Sequence, residues 1–184
     1  MNKKYLGDSY DLVKRYWAES LHSVAPLFAH SRFILNEIRS QYFLLTTIRI
    51  LDPHGSLPET PFGILLDPDT GIPLPSCSRE KATAKHSPLK FILDVNEQLK
   101  PQYIICFDQS HRRQNGFSMR DQRTEKRNFL QERGLGSFYF ESHASFLFAS
   151  QFSNVLEVLR NRLVTAGIPL NRLDPPNNLQ STST

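Results

Sequence analysis

Residues 88–110, PLKFILDVNEQLKPQYIICFDQS, decide the fold of this chain because they join a helical segment directly to a buried strand. The helical segment ends before Pro101, and QYIICF has the short, continuously apolar composition of a strand that is covered on both faces. A helix followed at once by such a strand fits a parallel crossover unit. The segment therefore predicts an α/β domain with polar residues at the carboxyl end of this strand.

A second buried strand is indicated by FGILL at 62–66, followed by the turn formers of DPDTG at 67–71. The other predicted elements are a helix after Asp8 or Ser9, a short strand within 24–30, a helix and a strand within 33–51, a polar helix from about Ser118 to Arg133, two short strands within 137–150 and a last helix that ends at Gly167. We expect one domain over 1–174, a Rossmann-like three-layer sandwich with a mostly parallel sheet and a C-terminal antiparallel strand pair, and a flexible tail over 175–184.

The composition limits the class of protein. The chain has 184 residues, of which 39% are hydrophobic, and carries a formal net charge of +4. Its charged N-terminus and the absence of a long apolar run predict a cytoplasmic protein with no membrane partner. We expect no disulfide and no CxxC metal site, since Cys77 lies in a Pro/Ser-rich loop and Cys106 within YIICF. The sequence also lacks a phosphate-binding glycine loop and a GxSxG motif, which excludes phosphate-loop nucleotide hydrolases and serine hydrolases.

Polar residues follow both buried strands, at the place where open α/β sheets bind ligands. Asp67 and Asp69 follow the first strand, and Asp108 and Gln109 follow the second. Because Mg²⁺ prefers oxygen ligands, we predict a Mg²⁺ or Mn²⁺ site formed by the three aspartates, with Gln109 orienting water or substrate. The alternative is that Asp67 and Asp69 form a turn, and the two roles are compatible.

Two further positions are candidates for the same edge of the sheet. His143, in FESHASF, is a candidate general base or ligand near a strand end, and its alternative role is that of a hydrogen-bonded histidine in a half-buried sheet. Gly7 and Asp8 precede the first helix and are candidate cofactor-binding residues, although helix capping alone explains Asp8. Lys14 follows on that helix and is not assigned to the site.

A basic segment from 111 to 133 holds seven Lys/Arg against three acids. Such clustering predicts a face that binds phosphate or nucleic acid. The residues predicted for that face are His111, Arg112, Arg113, Arg120, Arg123, Lys126 and Arg127. The alternative is a solvated helix whose charges form surface ion pairs with one another.

Four motifs together resemble a family of uncharacterised bacterial proteins: GDSYDLVK at 7–14, ILLDPDTG at 64–71, CFDQS at 106–110 and YFESHASFLF at 139–148. This resemblance covers most of the chain. It supports the choice of candidate residues and implies no particular activity.

A second, partial resemblance covers about a third of the chain. GDSYDLVK is similar to the GNxADVLKH start of the 23S rRNA adenine-N6 methyltransferase family, and FGILLDPDTG stands where that family has a strand ending in DPPY. The resemblance implies a Rossmann-like fold, S-adenosylmethionine as cofactor and Asp67 at the position of the catalytic aspartate. Thr70 replaces the aromatic residue that stacks on the base, and VAPLFAH stands near the place of the glycine-rich cofactor loop.

A third comparison concerns DPDTG alone, which is similar to the DxDGT motif of haloacid-dehalogenase-like phosphatases with the last two residues exchanged.

Our first hypothesis is a nucleic-acid-directed enzyme that uses an acidic divalent-metal site for phosphodiester or phosphate chemistry. Asp67, Asp69 and Asp108 would bind the metal, Gln109 and His143 would orient water or substrate, and Arg112 and Arg113 would hold phosphate. The alternatives are a divergent S-adenosylmethionine methyltransferase-like protein and a non-catalytic module that binds nucleic acid or protein.

Overall fold

The computed structural model describes residues 3, 6–76, 83–110, 118–143 and 145–174. The helices within these residues are α1 (Ser9–Leu21), α2 (Arg39–Thr46), α3 (Leu89–Leu99), α4 (Met119–Gln131) and α5 (Ser153–Thr165). The strands are β1 (Leu27–His30), β2 (Arg49–Leu51), β3 (Gly63–Leu66), β4 (Tyr103–Phe107), β5 (Gly136–Phe140) and β6 (Phe146–Ser150). The predicted α/β fold is confirmed, and the predicted tail at 175–184 lies outside the described residues.

The six strands form one sheet in the order β2-β1-β3-β4-β6-β5. The first four strands are parallel, and β6 is antiparallel to both β4 and β5. The predicted mostly parallel sheet with a C-terminal antiparallel strand pair is thus confirmed. The order 2-1-3-4 of the parallel strands is that of flavodoxin-like sheets, in which ligands bind outside the carboxyl ends of the strands. Since Leu66 pairs with Cys106, the carboxyl ends of β3 and β4 lie side by side.

Helices cover both faces of the sheet because successive residues of each buried strand point to opposite sides. On one side Leu65 packs in a cluster with Trp17 of α1 and with residues of α2 and α5. On the other side Ile64 packs with Ile92 of α3 and with residues of α4. Cys106 belongs to the second cluster and is fully buried, as its apolar neighbours predict. The strands β3 and β4 are therefore the centre of the three-layer core.

The loop after β3 is attached to the end of β4. Gly71 has φ +129°, and a Cβ placed on it would lie 2.4 Å from Oδ1 of Asp108. The backbone N–H of Gln109 donates to the carbonyl of Thr70 over 3.0 Å. Only glycine fits this close approach, so the two strand ends that carry the candidate residues are held together.

Among the residues that the structure describes, each helix is too short or too polar to cross a bilayer.

Candidate active site

A pocket of about 110 Å³ lies at the carboxyl ends of β3 and β4, beside the first turn of α1. Its lining combines three carboxylates, one ammonium, one amide and two aromatic rings. These are Asp8, Asp67 and Asp69, Lys14, Gln109, and Tyr10 and Phe107, together with Pro68. The fold thus brings together the start of α1, the DPDTG loop and the end of β4, three segments that the sequence singled out.

Lys14 joins α1 to the end of β3 through a buried ion pair. Its Nζ lies 2.7 Å from Oδ2 of Asp67 and 3.0 Å from Oδ1 of Asp11. Each of these three side chains is at most 5% exposed. The backbone N–H of Gly7 donates to Oδ2 of Asp11 over 2.7 Å, and Asp8 caps α1 by accepting from the N–H of Tyr10. The segment before α1 therefore positions Lys14 rather than only starting a helix.

The electrostatics of this cluster follow from two carboxylates that share one lysine. Burial raises the pKa of Asp67, the charge of Lys14 opposes that rise, and the charge of Asp11 adds to it. Burial disfavours the ammonium form of Lys14, but the two carboxylates raise its pKa above the ordinary value. Lys14 consequently stays charged, and Asp67 is the group in the cluster that is suited to take up a proton.

Asp108 lies one strand away and is fully engaged in structural hydrogen bonds. Its Oδ2 accepts from Nζ of Lys126 over 2.7 Å and from the hydroxyl of Tyr139 over 2.8 Å. Its Oδ1 accepts from the N–H groups of Ile72 and Ser110 and from the Ser110 hydroxyl. Asp108 does not line the pocket. It connects β4 to α4, to β5 and to the loop after β3.

The predicted metal ligands are therefore not brought together. Asp67 and Asp108 each form an ion pair with a different lysine, while Asp69 lines the pocket half-buried. Within the described residues, no group of three or more His, Cys, Asp or Glu side chains could hold a metal ion. Any Mg²⁺ held here would have to bind through one or two carboxylates and water, which is a coordination that Mg²⁺ often adopts.

Gln109 and Tyr10 form one wall of the pocket, and His143 contacts both of them from outside it. Nε2 of Gln109 donates to the hydroxyl of Tyr10 over 2.5 Å and to the backbone carbonyl of His143 over 3.0 Å. The Tyr10 ring lies between Phe107 and His143, with centroid distances of 5.4 and 5.7 Å. His143 is exposed on the β5–β6 loop, so the alternative of a half-buried strand position is wrong. It approaches the pocket through Tyr10 and does not itself line it.

The basic face predicted for α4 is not present in its expected form. Lys126 is buried against Asp108, Arg123 donates to Glu141 over 2.8 Å, and Arg127 pairs with Asp174 at 3.3 Å. Of the four predicted phosphate ligands in α4, Arg120 alone is exposed. The pairs join α4 to neighbouring segments and are partly or fully buried, so they are not the surface pairs of the alternative prediction either. His111, Arg112 and Arg113 lie outside the described residues.

Sequence reasoning missed Lys14 and Asp11. The helical spacing of Tyr10, Lys14, Trp17 and Leu21 places Lys14 within the stripe that α1 buries, and a lysine on a buried stripe requires a carboxylate partner. That signal was available in the sequence, whereas the identity of the partner on β3 depended on how α1 packs against the sheet.

Comparison with protein-family models, with curated proteins and with solved structures gave no match.

The pocket at the ends of β3 and β4 is small for a ligand of the size of S-adenosylmethionine. Pockets that enclose a ligand of drug size measure about 300–1,000 Å³, and this pocket measures about 110 Å³. At the end of β1, near which the methyltransferase resemblance places the cofactor loop, His30 packs against the rings of Phe33 and Phe91 at 6.0 and 5.3 Å. Burial lowers the pKa of His30 to about 4, so the residue is neutral in this apolar contact.

Proposed function

We propose that this protein is an enzyme that performs proton transfer in the pocket at the ends of β3 and β4, with Asp67 as the general acid or base. The observation that carries this proposal is a buried carboxylate that borders a pocket and shares one lysine with a second buried carboxylate. General acid–base catalysis is most effective when the pKa of the group is moved toward the working pH. The raised pKa of Asp67 moves in that direction.

Stability alone is a weak reason for this arrangement. A buried ion pair contributes little to stability in comparison with well-packed apolar residues. Titratable groups with perturbed pKa values in a cleft are more typical of functional sites. Lys14 would hold the Asp67 carboxylate in one orientation, while Gln109 would fix Tyr10 beside it. The small volume of the pocket suits the reacting end of a substrate rather than a whole large molecule.

The test is to incubate the purified protein with a low-molecular-weight cell extract and follow consumed compounds by mass spectrometry. We expect a compound that wild type consumes and Asp67→Asn does not. Asp94→Asn is the matched control, because Asp94 lies on α3 in the helical layer on the other side of the sheet. Consumption that persists in Asp67→Asn would contradict the role of Asp67. No turnover of extract compounds or of added nucleic acid would contradict the enzyme proposal and favour a non-catalytic binding module.

The second candidate is the metal-dependent phosphodiester or phosphate chemistry on nucleic acid that the sequence predicts. It is favoured by the three carboxylates that line the pocket, since Mg²⁺ or Mn²⁺ would gain from Asp8 or Asp69 together with bound water. His111, Arg112 and Arg113 follow Ser110 in the sequence and would contact the phosphate groups. Calorimetric titration with Mg²⁺ and Mn²⁺ tests this candidate. Wild-type metal affinity in the double variant Asp67→Ala, Asp69→Ala would contradict it.

A further inference from the structure

The two edges of the sheet differ in how they are covered. At the β5 edge, Leu173 forms an antiparallel bridge with Phe140, and the N–H of Asp174 donates to the carbonyl of Tyr139 over 3.0 Å. At the other edge, β2 pairs with β1 on one side. Within the described part of the chain, residues 49–51 form no other backbone–backbone hydrogen bond. The outer edge of β2 therefore offers backbone donors and acceptors to an added strand.

The connection from β2 to β3 leaves a groove beside this edge. A parallel crossover usually contains a helix, but residues 52–62 form a loop. Residues 56–61 of the loop form no backbone–backbone hydrogen bond with any described residue. The groove measures about 920 Å³, within the range of about 300–1,000 Å³ for pockets that enclose a ligand. It is lined by β2 and this loop, together with the end of α1 and the start of β1.

The groove offers apolar contacts as well as a strand edge. Ile50 of β2 and Phe28 of β1 line it half-buried, and Leu57 of the loop is 42% exposed. Proteins that bind a peptide by strand addition use backbone hydrogen bonds for affinity and side-chain contacts for specificity. β2 and the loop supply both kinds of contact. At about 3.3 Å per residue, the three residues of β2 can pair with a segment about 10 Å long.

The charges of the groove indicate which segment fits. Arg49 is exposed, lines the groove and forms no ion pair with a described residue. Glu19, the carboxylate of the described lining, pairs with an arginine of its own helix over 2.8 Å. His22 adds positive charge when it is protonated, and Asp52 and Glu59 do not line the groove. An acidic side chain is therefore favoured beside Arg49, and a basic one is disfavoured.

A second copy of this chain does not meet this requirement. Antiparallel pairing of two β2 strands around a two-fold axis puts equivalent residues on the same face of the joined sheet. Both Arg49 side chains would then lie on one face, where like charges repel. The charge at this edge consequently favours a partner that carries an acidic side chain.

We propose that the groove along β2 binds an extended segment of a partner protein, which adds a strand to the sheet and places an acidic side chain beside Arg49. The apolar side chains of the segment contact Ile50 and Leu57. Among the described residues, the groove shares no lining residue with the pocket at the ends of β3 and β4. The proposal is therefore independent of the proton-transfer function.

The first experiment uses matched triplets of seven-residue peptides, titrated with the full chain and followed by fluorescence anisotropy. The members of a triplet share flanking Val, Thr, Ile and Tyr residues and carry Glu, Gln or Lys at the central position. We expect the Glu peptide of a binding triplet to bind about fivefold more tightly than the Lys peptide, because an ion pair replaces a like-charge contact. Equal affinities, or no binding by any triplet, would overturn the proposal.

Backbone pairing is tested on the tightest peptide. Every second N–H of a paired strand faces its neighbour, so N-methylation at alternate positions removes either the facing or the outward N–H groups. Methylation of one alternating set should weaken binding at least about tenfold, and methylation of the other set should change the affinity by less than about threefold. Similar effects of both sets would contradict strand addition.

Variants locate the surface. Arg49→Gln should reduce the difference between the Glu and Lys peptides to less than about twofold, while Lys90→Gln, exposed on α3, should leave it unchanged. Amide NMR shifts caused by the Glu peptide should centre on Arg49, Ile50 and Leu57. Shifts centred on Gln109 in the other pocket, or a dimer in sedimentation equilibrium that Ile50→Pro dissociates, would overturn the proposal.

Discussion

The aspartates that follow the neighbouring strands β3 and β4 each form a buried ion pair with a lysine, but the surroundings of the two pairs differ. The Lys14–Asp67 and Lys126–Asp108 pairs have the same 2.7 Å separation. Asp108 also accepts hydrogen bonds from Tyr139, Ile72 and Ser110, and it lies away from the pocket. Asp67 borders the pocket and shares its lysine with Asp11.

A buried ion pair is therefore not by itself a sign of function. A carboxylate that receives hydrogen bonds from every side, as Asp108 does, has no remaining capacity for a ligand and acts as a structural connection. Asp67 is also buried, but it is paired with Lys14 and borders the pocket, so it can exchange a proton with a group bound there. The surroundings of the pair therefore decide between the two roles.

Breaking the structural pair should have the largest effect on stability. Lys126→Met leaves the buried Asp108 carboxylate without its counter-ion, and removal of one partner of such a pair costs about 3–5 kcal/mol. Urea denaturation followed by circular dichroism measures the change in the free energy of unfolding. Arg120→Met is the control, since Arg120 is exposed on the same helix. A loss below about 1 kcal/mol would show that the remaining donors to Asp108 compensate fully.

The second-largest loss of stability is expected on substitution of Gly71, which lies against Asp108. Gly71→Ala places a methyl group 2.4 Å from Oδ1 of Asp108 and forces an L residue to φ +129°. We expect a loss of about 2–3 kcal/mol from strain and displacement of the loop. Gly134→Ala is the matched control because Gly134 also has a positive φ, +77°, but meets no atom within 4 Å. Equal losses in the two variants, measured by urea denaturation, would show that the contact with Asp108 adds nothing.

The smallest loss of stability is expected on breaking the Lys14–Asp67 pair, which borders the pocket. Asp67→Asn leaves Lys14 paired with Asp11, so we expect the free energy of unfolding near neutral pH to change by no more than about 1 kcal/mol. The same denaturation measurement on wild type and variant checks this. A loss of unfolding free energy as large as that of Lys126→Met would show that both pairs mainly stabilise the fold.

The pH dependence of the unfolding free energy tests the state of Asp67 directly. Because its folded pKa is raised above the ordinary value of 3.8, the folded state binds the proton more tightly than the unfolded state does. The stability that Asp67 contributes is then present below about pH 4 and is lost as the pH rises through the folded pKa. The difference in unfolding free energy, wild type minus Asp67→Asn, should therefore fall as the pH rises above about 4. A difference that grows with pH would contradict the raised pKa.

A second titrating group acts in the same pH range with the opposite sign. The folded pKa of His30 is about 4, against an ordinary value of 6.5, so the stability that it contributes is lost as the pH falls from 6.5 toward 4. Since His30 is present in both proteins, its contribution cancels in the difference. In His30→Gln the unfolding free energy should no longer show this decrease as the pH falls from 6.5 toward 4. In His22→Gln, where the replaced residue is exposed, the decrease should remain as in wild type.

Much of the fold follows from local sequence patterns. The runs GILL and YIICF are apolar at every position, so they predict strands covered on both faces, and the structure buries all nine residues. Asp8 predicts the start of α1 because its side chain is a good helix cap. The sheet order around β1 and β2 could not be predicted, because short strands carry little pattern and their pairing depends on distant parts of the chain.

The site was predicted in part, and the errors have one physical cause. Asp67, Asp69 and Gln109 do lie together, since the ends of adjacent parallel strands share one edge. Gln122, Lys126 and Leu130 recur four residues apart on the buried face of α4, but two polar residues in such a stripe are read as exposed from sequence. Whether a lysine is buried depends on a carboxylate that another segment supplies. The burial of Lys14 and Lys126 could therefore not be predicted from the helix sequences alone.

Trp17 gives the molecule an optical reporter. It is the single tryptophan of the chain, it is fully buried, and its indole lies edge-on to the rings of Phe140, Phe146 and Phe148 at 5.1 to 5.8 Å. It stands three residues after Lys14, one turn along α1. Displacement of α1 from the sheet would move the indole from an apolar to an aqueous medium and shift its fluorescence emission to longer wavelength. The emission maximum therefore reports, without any label, whether the wall that carries Lys14 is seated on the sheet.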